Sequence, residues 1–499
     1  MNICLPWLQR IGVVAIVCLL APPNRLLGAE LRSTITEVEN HRPGTSEWRL
    51  KHPALHHEIE GYASRTSVNR GESIDLFVHT VAPAYDVLIF RMGWYAGEGG
   101  RLMAGPYRYQ GHQQSMPLPD PISGLIECQW ENPITVNIPT DVQDPSNWPS
   151  GIYLVKLIAW PSEHDSYIIF VVRDDERSTD LLIQSSVTTF QAYNNWGGKS
   201  LYEFNSKGGA ATKVSFNRPY APSHLLQSES GIGTGDFLTG WEYNMVRWLE
   251  EKGYDVSYTT NVDIHERGDL LLRHRAFLSV GHDEYWSWYM RDHVEAARDH
   301  GVHLGFFSAN TCYWQIRLEP SLVTYEADRT MTAYKYRARW LDPYSRDSDP
   351  LNDYLITTQW RSPPVSRPES HLIGVMYFFD PINSDLIVNN ATHWITENTG
   401  LQPGDHLEGL LGYEVDSEDP TNPYQPEVIT RSPAGSGWAA STVYTAPSGS
   451  LVFATGSMQW IWGLDDFNAP ELRPARRHQA VELMTENILR RFIEPLTLN

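Results

Sequence analysis

Alternating apolar and polar positions dominate the first third of the chain. Residues 73–81 (SIDLFVHTV) place Ile74, Leu76 and Val78 between polar neighbours, which is the period of a half-buried strand. The same signal recurs in three later runs, at 87–91, 152–158 and 167–172. Turn-forming clusters separate the runs, and no helical period intervenes. This pattern predicts an Ig-like β-sandwich over residues 30–175, with the strand that follows Trp148 at an edge.

From residue 176 onward, buried strands alternate with amphipathic helices. Strands are predicted at 181–186, 255–259, 276–280, 303–307 and 451–455. Helices are predicted at 240–252, 287–300 and 478–493. This alternation predicts an α/β domain over residues 176–499, with a mostly parallel sheet, helices on both faces and long insertions between 320 and 450.

Polar and aromatic clusters follow four of the predicted parallel strands. They occupy residues 190–198, 281–286, 308–314 and 456–460. In an open α/β sheet, ligands bind beyond the carboxyl ends of the strands. We therefore expect the four clusters to line one rim, and we place the functional site there.

The charge of the chain narrows the range of partners. Sixty acidic residues against 39 basic ones give a net charge of −21. A protein that tracks phosphates needs an excess of cations, so nucleic acid is excluded as the main partner. The hydrophobic fraction of 41% and the charged fraction of 20% are those of a globular protein. A small-molecule substrate fits this composition, and a homo-oligomer is left open.

The first 29 residues have the pattern of a secretory signal peptide. Arg10 precedes an apolar run at 11–21, and small residues follow at 28 and 29. Eleven apolar residues are too few to span a bilayer, and no other segment approaches 18. We therefore expect a secreted or periplasmic protein without a membrane span. Cys128 and Cys312 are predicted to stay as unpaired buried thiols.

Three kinds of chemistry are compatible with the rim. Cys312 could act as a nucleophile with His282 as its base, but its flanking Asn310 and Trp314 are not the small residues of a nucleophile elbow, so a structural thiol is favoured. Tyr285 and Tyr313 offer hard oxygen ligands to a metal. The third chemistry is sugar binding. The stacking faces would come from Trp196, Trp286, Trp314 and Trp460, and the carboxylates from Asp283, Glu284 or Asp465.

Several ordered motifs of the second domain resemble one known family. They are FQAYNNWGGKSLY (190–202), VSFNRPY (214–220), GHDEYWS (281–287), SANTCYWQIR (308–317), RPESHLIGVMY (367–377) and FATGSMQWIWGLDD (453–466). Together they are similar to the C-terminal domain of the N,N-dimethylformamidase catalytic-subunit family. The resemblance implies a glutamine-amidotransferase-like (flavodoxin-like) α/β domain that holds one ferric iron (Fe3+).

By the same resemblance, two tyrosines and one glutamate would ligate this iron. The matching positions are Tyr285 at the end of HDEY, Tyr313 in the N-x-x-Y-W phrase, and Glu369 in E-x-x-L-x-G. The family has a histidine two residues before its glutamate, and this chain has Arg367 there.

These observations lead to two hypotheses. In the first, the chain is an exported metal-dependent hydrolase that cleaves a C–N amide bond in a small-molecule amide or a glycan-derived substrate. His282 or Glu284 would act as base or orient the metal ligands, and Asn310 and Asn194 would donate hydrogen bonds to the oxyanion. In the alternative, the chain is an exported carbohydrate-binding or carbohydrate-active protein that uses its aromatic rim without a metal.

Overall fold

The computed structural model describes residues 34–141, 144, 147–221 and 231–494. The predicted signal peptide at 1–29 lies outside these residues, so export stays a prediction. Within the described ranges, no helix has both the length and the apolar character needed to cross a membrane.

The first part of the described chain is built from strands after one short helix. In chain order the elements are α1 (Ile35–Asn40), β1 (Ile59–Ala63), β2 (Ser67–Asn69), β3 (Ser73–Thr80), β4 (Ala84–Met92), β5 (Gly100–Gln110), β6 (Ile134–Asn137), β7 (Gly151–Trp160) and β8 (Asp165–Arg173). The strands form a three-stranded sheet in the order β1-β3-β6 and a five-stranded sheet in the order β2-β8-β7-β4-β5.

The two sheets bury a common hydrophobic core. Alternate residues of β3 point into it, namely Ile74, Leu76 and Val78, as the period-two pattern predicts. Val87 of β4 and Val155 of β7 meet them from the other sheet. The prediction of an all-β first part is therefore confirmed.

The prediction of β7 as an edge strand is wrong. This strand lies in the middle of the five-stranded sheet and pairs antiparallel with both β4 and β8. Tyr153 and Val155 face the sandwich core, while Ile152 and Leu154 belong to the core of the second part of the chain. A strand that is buried on both faces carries a continuous apolar run instead of an alternating one.

The second part alternates strands and helices up to β14. Its elements are β9 (Leu181–Ser185), α2 (Val187–Tyr193), β10 (Lys213–Ser215), α3 (Tyr243–Glu251), β11 (Val256–Thr260), α4 (Asn261–Glu266), β12 (Ala276–His282), β13 (Tyr285–Ser287), α5 (Trp288–Asp299) and β14 (His303–Ala309). Helix α3 begins three residues later than the sequence predicts, because Gly240 adopts a left-handed conformation with φ +98°.

The remaining elements include the predicted insertions. They are β15 (Trp314–Glu319), β16 (Thr330–Thr332), α6 (Ala338–Leu341), α7 (Ser370–Ile373), β17 (Met376–Ile387), β18 (His406–Ser417), β19 (Glu427–Ala434), β20 (Gly437–Thr445), β21 (Leu451–Ala454) and α8 (Gln479–Ile493). Strands β17 and β18 form a long antiparallel pair that carries residues to the site.

Seven strands form the central sheet in the order β11-β9-β12-β14-β21-β20-β19. The first five run parallel, and β20 and β19 extend the sheet antiparallel. Strands β9, β12, β14 and β21 are consecutive neighbours, so the four polar clusters leave the sheet at the same edge. The chain thus combines α/β architecture with separate β-sheets. The predicted domain boundary at residue 175 falls between β8 and β9 and stays a prediction.

Candidate functional site

A cavity of about 480 Å³ lies beyond the carboxyl ends of β9, β12 and β14. Its walls are unusually aromatic, with Tyr193, Tyr202, Tyr313, Trp314, Tyr334, Tyr336 and Tyr377. Seven polar or charged residues share these walls, namely Glu203, Glu284, Asn310, Lys335, Arg337, Asp380 and Glu414. A volume of this size is typical of a small-molecule site. The predicted placement of the site at the strand ends therefore agrees with this cavity.

Two phenol groups donate to the carboxylate of Glu284, and a third phenol supports one of them. Tyr193 Oη donates to Glu284 Oε2 at 2.8 Å, and Tyr202 Oη donates to the same oxygen at 2.9 Å. Tyr285 Oη in turn donates to Tyr202 Oη at 2.6 Å. Burial raises the pKa of all three phenols well above its ordinary value, and the charge of Glu284 adds to this effect. The phenols therefore act as hydrogen-bond donors that fix this carboxylate.

His282 lies beneath the cavity between two carboxylates. Its Nε2 is 3.1 Å from Glu414 Oε2 and 3.5 Å from Glu284 Oε2. Burial alone would lower the pKa of His282, but Glu414 and Glu284 outweigh it and raise this pKa to about 9. The two nearby carboxylates therefore favour the protonated form of the imidazole. The role of His282 as base stays a prediction.

The loop after β14 is held in a strained conformation. Asn310 and Cys312 both adopt left-handed backbone angles, with φ of +53° and +56°. The carboxylate of Asp416 accepts the backbone N–H of Asn310 at 2.8 Å, and the carbonyl of Asp283 accepts that of Cys312 at 2.9 Å. Strained residues persist where their surroundings over-determine them, which is common at functional sites. These two contacts bring Asn310 and Tyr313 to the cavity wall.

Asp416 gives a prediction about stability and pH. Burial raises its pKa to about 7, so the native state retains a proton that the unfolded chain releases near pH 4. Stability is therefore lost as the pH rises between these values. We expect Asp416→Asn to raise the free energy of unfolding, relative to the native chain, by roughly 1–4 kcal/mol more at pH 8 than at pH 5. The figure follows from about 1.4 kcal/mol per pKa unit.

Urea unfolding at the two pH values measures this difference. The exposed Asp349→Asn is the control, and it should show the same stability relative to the native chain at both. A stability difference for Asp416→Asn that does not change with pH would contradict the assignment.

The structure brings one of the three predicted iron ligands, Tyr313, to the cavity wall and places a second, Tyr285, beside a wall residue. Tyr313 lies on the wall, where its Oη is 3.1 Å from Tyr336 Oη and accepts from Gln359 Nε2. The hydroxyl of Tyr285 accepts from the Nζ of Lys335, another wall residue, at 3.2 Å. The two phenols thus contact adjacent residues of the same segment.

The third predicted ligand is engaged elsewhere. Both carboxylate oxygens of Glu369 accept from Arg361, at 2.7 Å from Nη2 and at 3.0 and 3.1 Å from Nε. Arg367, which replaces the family's histidine, points to Asp292 and Glu295 on α5.

The three-residue set therefore does not fit one shared ion in this arrangement, because a protein cation holds the carboxylate. Within residues 34–141, 147–221 and 231–494, His, Cys, Asp and Glu likewise form no metal-binding group of three. Iron on Tyr285, Tyr313 and Glu369 stays a prediction from the resemblance.

Other candidate residues lie away from the cavity wall. Asn194 donates to Gln191 Oε1 and Pro219 O and accepts from two backbone N–H groups, so it holds the 194–221 region together. Cys312 is fully buried, and burial raises the pKa of its thiol far above the usual range, which is the character of a structural thiol. Cys128 and Cys312 are both free, as predicted.

The sugar-binding alternative finds little support in the arrangement of its residues. Trp196, Trp286 and Trp460 are core side chains with at most 4% exposure, and only Trp314 reaches the cavity. Asp283 accepts from Gln184, Asn261 and Ser279 inside the sheet. A glycan platform needs exposed ring faces, and these rings are covered.

Sequence reasoning missed four residues of the site: Tyr193, Tyr202, Lys335 and Glu414. Tyr193 and Tyr202 lie within or just after the cluster that follows β9, so the strand-end rule could have included them. Lys335 and Glu414 lie in the insertions, where no periodic signal marks them.

Comparisons with known proteins agree with the ordered motifs. The family described as N,N-dimethylformamidase beta subunit-like, C-terminal, matches residues 86–474 of the chain. The N,N-dimethylformamidase beta subunit of Paracoccus aminophilus is 24% identical over 233 residues, which cover 39% of this chain and 29% of that protein. The beta subunit from an Alcaligenes species is 22% identical over 275 residues, which cover 45% and 34%.

These matches span only about a third of the relatives' own length. Among solved structures, a fungal alcohol oxidase of the AA5 family matches with a TM-score of 0.14 and 20% identity, over 24% of this chain and 20% of that chain. A likeness this low carries no argument.

Proposed function

The chain belongs to the N,N-dimethylformamidase beta subunit-like family, and from this premise we propose that it hydrolyses a C–N amide bond in the cavity beyond β9, β12 and β14. The observation that carries the proposal is the pair of carboxylates on the cavity wall, Glu284 and Glu414, which both lie within 3.5 Å of the buried imidazole of His282. Amide hydrolysis needs a base for water and donors for the carbonyl oxygen.

In this proposal Glu414 is the general base. One of its oxygens pairs with His282, and the carboxylate lies on the cavity wall. Water attacks the carbonyl carbon and gives its proton to Glu414. When the C–N bond breaks, the same proton passes to the leaving nitrogen, and a carboxylic acid and an amine result. A positioned base of this kind contributes about 10²–10⁴-fold in rate.

Asn310 would bind the substrate's carbonyl oxygen. It lies on the wall with its backbone fixed by Asp416, and an amide N–H is a suitable donor to a developing oxyanion. Glu284 accepts from Tyr193 and Tyr202 and so has a positioning role. None of these steps uses a metal.

The cavity suits an amide larger than formamide. Seven aromatic residues line a volume of about 480 Å³, which favours a substrate with an apolar or aryl substituent. We therefore propose N-aryl or N-alkyl carboxamides as the substrate class.

We also propose an Ig-like fold for the N-terminal sheets and a glutamine-amidotransferase-like fold for the second part of the chain. The shared core of the two N-terminal sheets supports an Ig-like domain, and the parallel sheet with helices supports a glutamine-amidotransferase-like domain.

A panel of amides tests the function. The full-length protein is incubated with formamide, N,N-dimethylformamide, N-benzylformamide and N-benzylacetamide, and the released acid and amine are followed by NMR. We expect the benzyl amides to give a kcat/KM at least about tenfold above formamide, since buried apolar area adds binding energy. A folded protein that releases no acid from any amide would refute the proposal. Metal analysis and the visible spectrum of the same preparation test the iron prediction.

A further inference from the structure

Lys335 places a half-buried cation on the cavity wall. Its Nζ lies 3.3 Å from the ring centre of Tyr202, 5.4 Å from that of Trp314 and 5.9 Å from that of Tyr285. It also donates to Tyr285 Oη at 3.2 Å. Three aromatic rings therefore form a cage around the amine, a geometry in which ring faces attract a cation.

The cation has no close carboxylate partner. In the part of the chain that the structure describes, no carboxylate oxygen lies within 4.0 Å of Lys335 Nζ. An ammonium carries three donor hydrogens, and the described contacts account for one of them, at Tyr285. The amine thus keeps hydrogen-bonding capacity for a group in the cavity.

The backbone at Lys335 is strained as well. It adopts a left-handed conformation with φ +56°, and its N–H donates to Thr357 O at 2.9 Å. Such a conformation costs about 1–3 kcal/mol outside glycine. The strained backbone and the half-buried ammonium without a close carboxylate both occur at one residue of the cavity wall. This combination is typical of a functional residue.

We infer that the Lys335 ammonium binds the carbonyl oxygen of the substrate and stabilises the negative charge that develops there. This inference rests on the proposed amide hydrolysis and adds a catalytic residue to it. As the water oxygen bonds to the carbonyl carbon, the C=O π electrons move to the oxygen, where Lys335 and Asn310 donate hydrogen bonds. The C=O bond forms again when the C–N bond breaks, so Lys335 keeps its protons throughout.

A cation beside the reacting carbonyl offsets the negative charge of the wall carboxylates, and Lys335 shares this wall with one other cation, Arg337. Glu284 and Glu414 share the wall, and a second negative charge on the substrate would be repelled by both. A fixed ammonium that needs no reorganisation offsets this repulsion. The surrounding rings limit the hydration of the ammonium, which strengthens its interaction with an oxyanion.

Two substitutions separate this role from a structural one. Lys335→Met keeps the length of the side chain and removes its charge, and Lys335→Arg keeps the charge. We expect Lys335→Met to lower kcat by about 10²–10³-fold, as loss of one oxyanion donor does, with KM changed by less than about threefold. Lys335→Arg should retain more activity than Lys335→Met. Lys252→Met is the control, since Lys252 pairs with Glu482 and Glu486 on the surface, and its kcat should stay unchanged.

A second measurement does not depend on activity. Acetate resembles both the carboxylate product and the charged oxygen, and its binding to the full-length protein is followed by saturation-transfer NMR. We expect acetate to bind the native chain and the Lys252→Met variant and to bind Lys335→Met at least about tenfold more weakly. Far-UV circular dichroism verifies that each variant is folded.

Each outcome decides the inference. If the native chain hydrolyses amides and Lys335→Met keeps its kcat, the inference is overturned while the proposed function stands. If no amide is hydrolysed, the proposed function fails, and acetate binding decides alone. Loss of acetate binding in folded Lys335→Met then supports the oxyanion contact. The contact is refuted if the native chain and the variant bind acetate equally, or if the native chain does not bind acetate.

Discussion

Replacing Glu414 with glutamine is expected to lower kcat for amide hydrolysis by about 10²–10⁴-fold, the usual contribution of a general base. Glutamine has nearly the same shape but cannot take a proton from water. The substrate still meets the same cavity wall, so KM should change little. Steady-state kinetics with the best amide of the panel measure the effect.

The control for this variant is Glu471→Gln, an exposed glutamate outside the cavity wall, and its kcat should equal that of the native chain. A second observable follows from the ion pair with His282. Removing the charge of Glu414 removes the first of the carboxylates that raise the pKa of His282, so this pKa should fall in Glu414→Gln. NMR titration of the imidazole measures it. An unchanged kcat would remove Glu414 from the role of base.

Substituting Arg91 with methionine is expected to destabilise the native state by about 3–5 kcal/mol, the typical result of breaking a buried ion pair from one side. Arg91 and Glu250 are 1% and 2% exposed, and the guanidinium donates to Glu250 at 2.7 and 3.0 Å. Tyr258 and Asn40 also donate to this carboxylate, at 2.7 and 2.8 Å. Without Arg91, a buried negative charge would remain without its counter-ion.

The surface supplies a matched control. Arg108 pairs with Asp86 through an equally short contact of 2.7 Å, but its side chain is 52% exposed. Arg108→Met should therefore cost far less than Arg91→Met, because solvent screens an exposed ion pair. Urea unfolding compares both variants with the native chain. In the double variant Arg91→Met/Glu250→Leu the loss should be smaller than in Arg91→Met, because no charge stays buried alone. Equal losses in Arg91→Met and Arg108→Met would contradict the interpretation.

The period of apolar residues predicted the strands well because burial dictates it. Residues 73–81 alternate since one face of β3 meets the sandwich core, and the strand was found to within one residue. The central parallel strands read as continuous apolar runs for the same reason, as both of their faces are covered. The order of strands was not predicted, but the strand-end rule still located the cavity, because parallel neighbours end at one edge.

The sequence could not distinguish two structural environments that have the same pattern of apolar and polar residues. The apolar run of β7 was taken for an edge strand, since nothing local indicates that a second core covers its outer face. In the same way, a tryptophan beside polar residues has the same local sequence whether its ring is an exposed stacking face or part of the core. Trp286 and Trp460 proved to be core.

The polar residues of the site were the hardest to predict because their partners are distant in sequence. Glu414 meets His282 across more than a hundred residues, and Lys335 meets Tyr202 and Tyr285 from an insertion without periodicity. Glu369 shows the converse, since a motif identified the residue but not its neighbour Arg361. Such pairings depend on tertiary packing, which no local spacing encodes.

The five-stranded sheet is covered on both sides, by the sandwich core and by the core around the parallel strands. The N-terminal segment before β9 and the rest of the chain should therefore evolve together, because they share a core. A recombination event that exchanged only the residues before β9 would have to supply a sheet with the same apolar outer face. Without that face, the recombinant protein would expose a large apolar surface and aggregate.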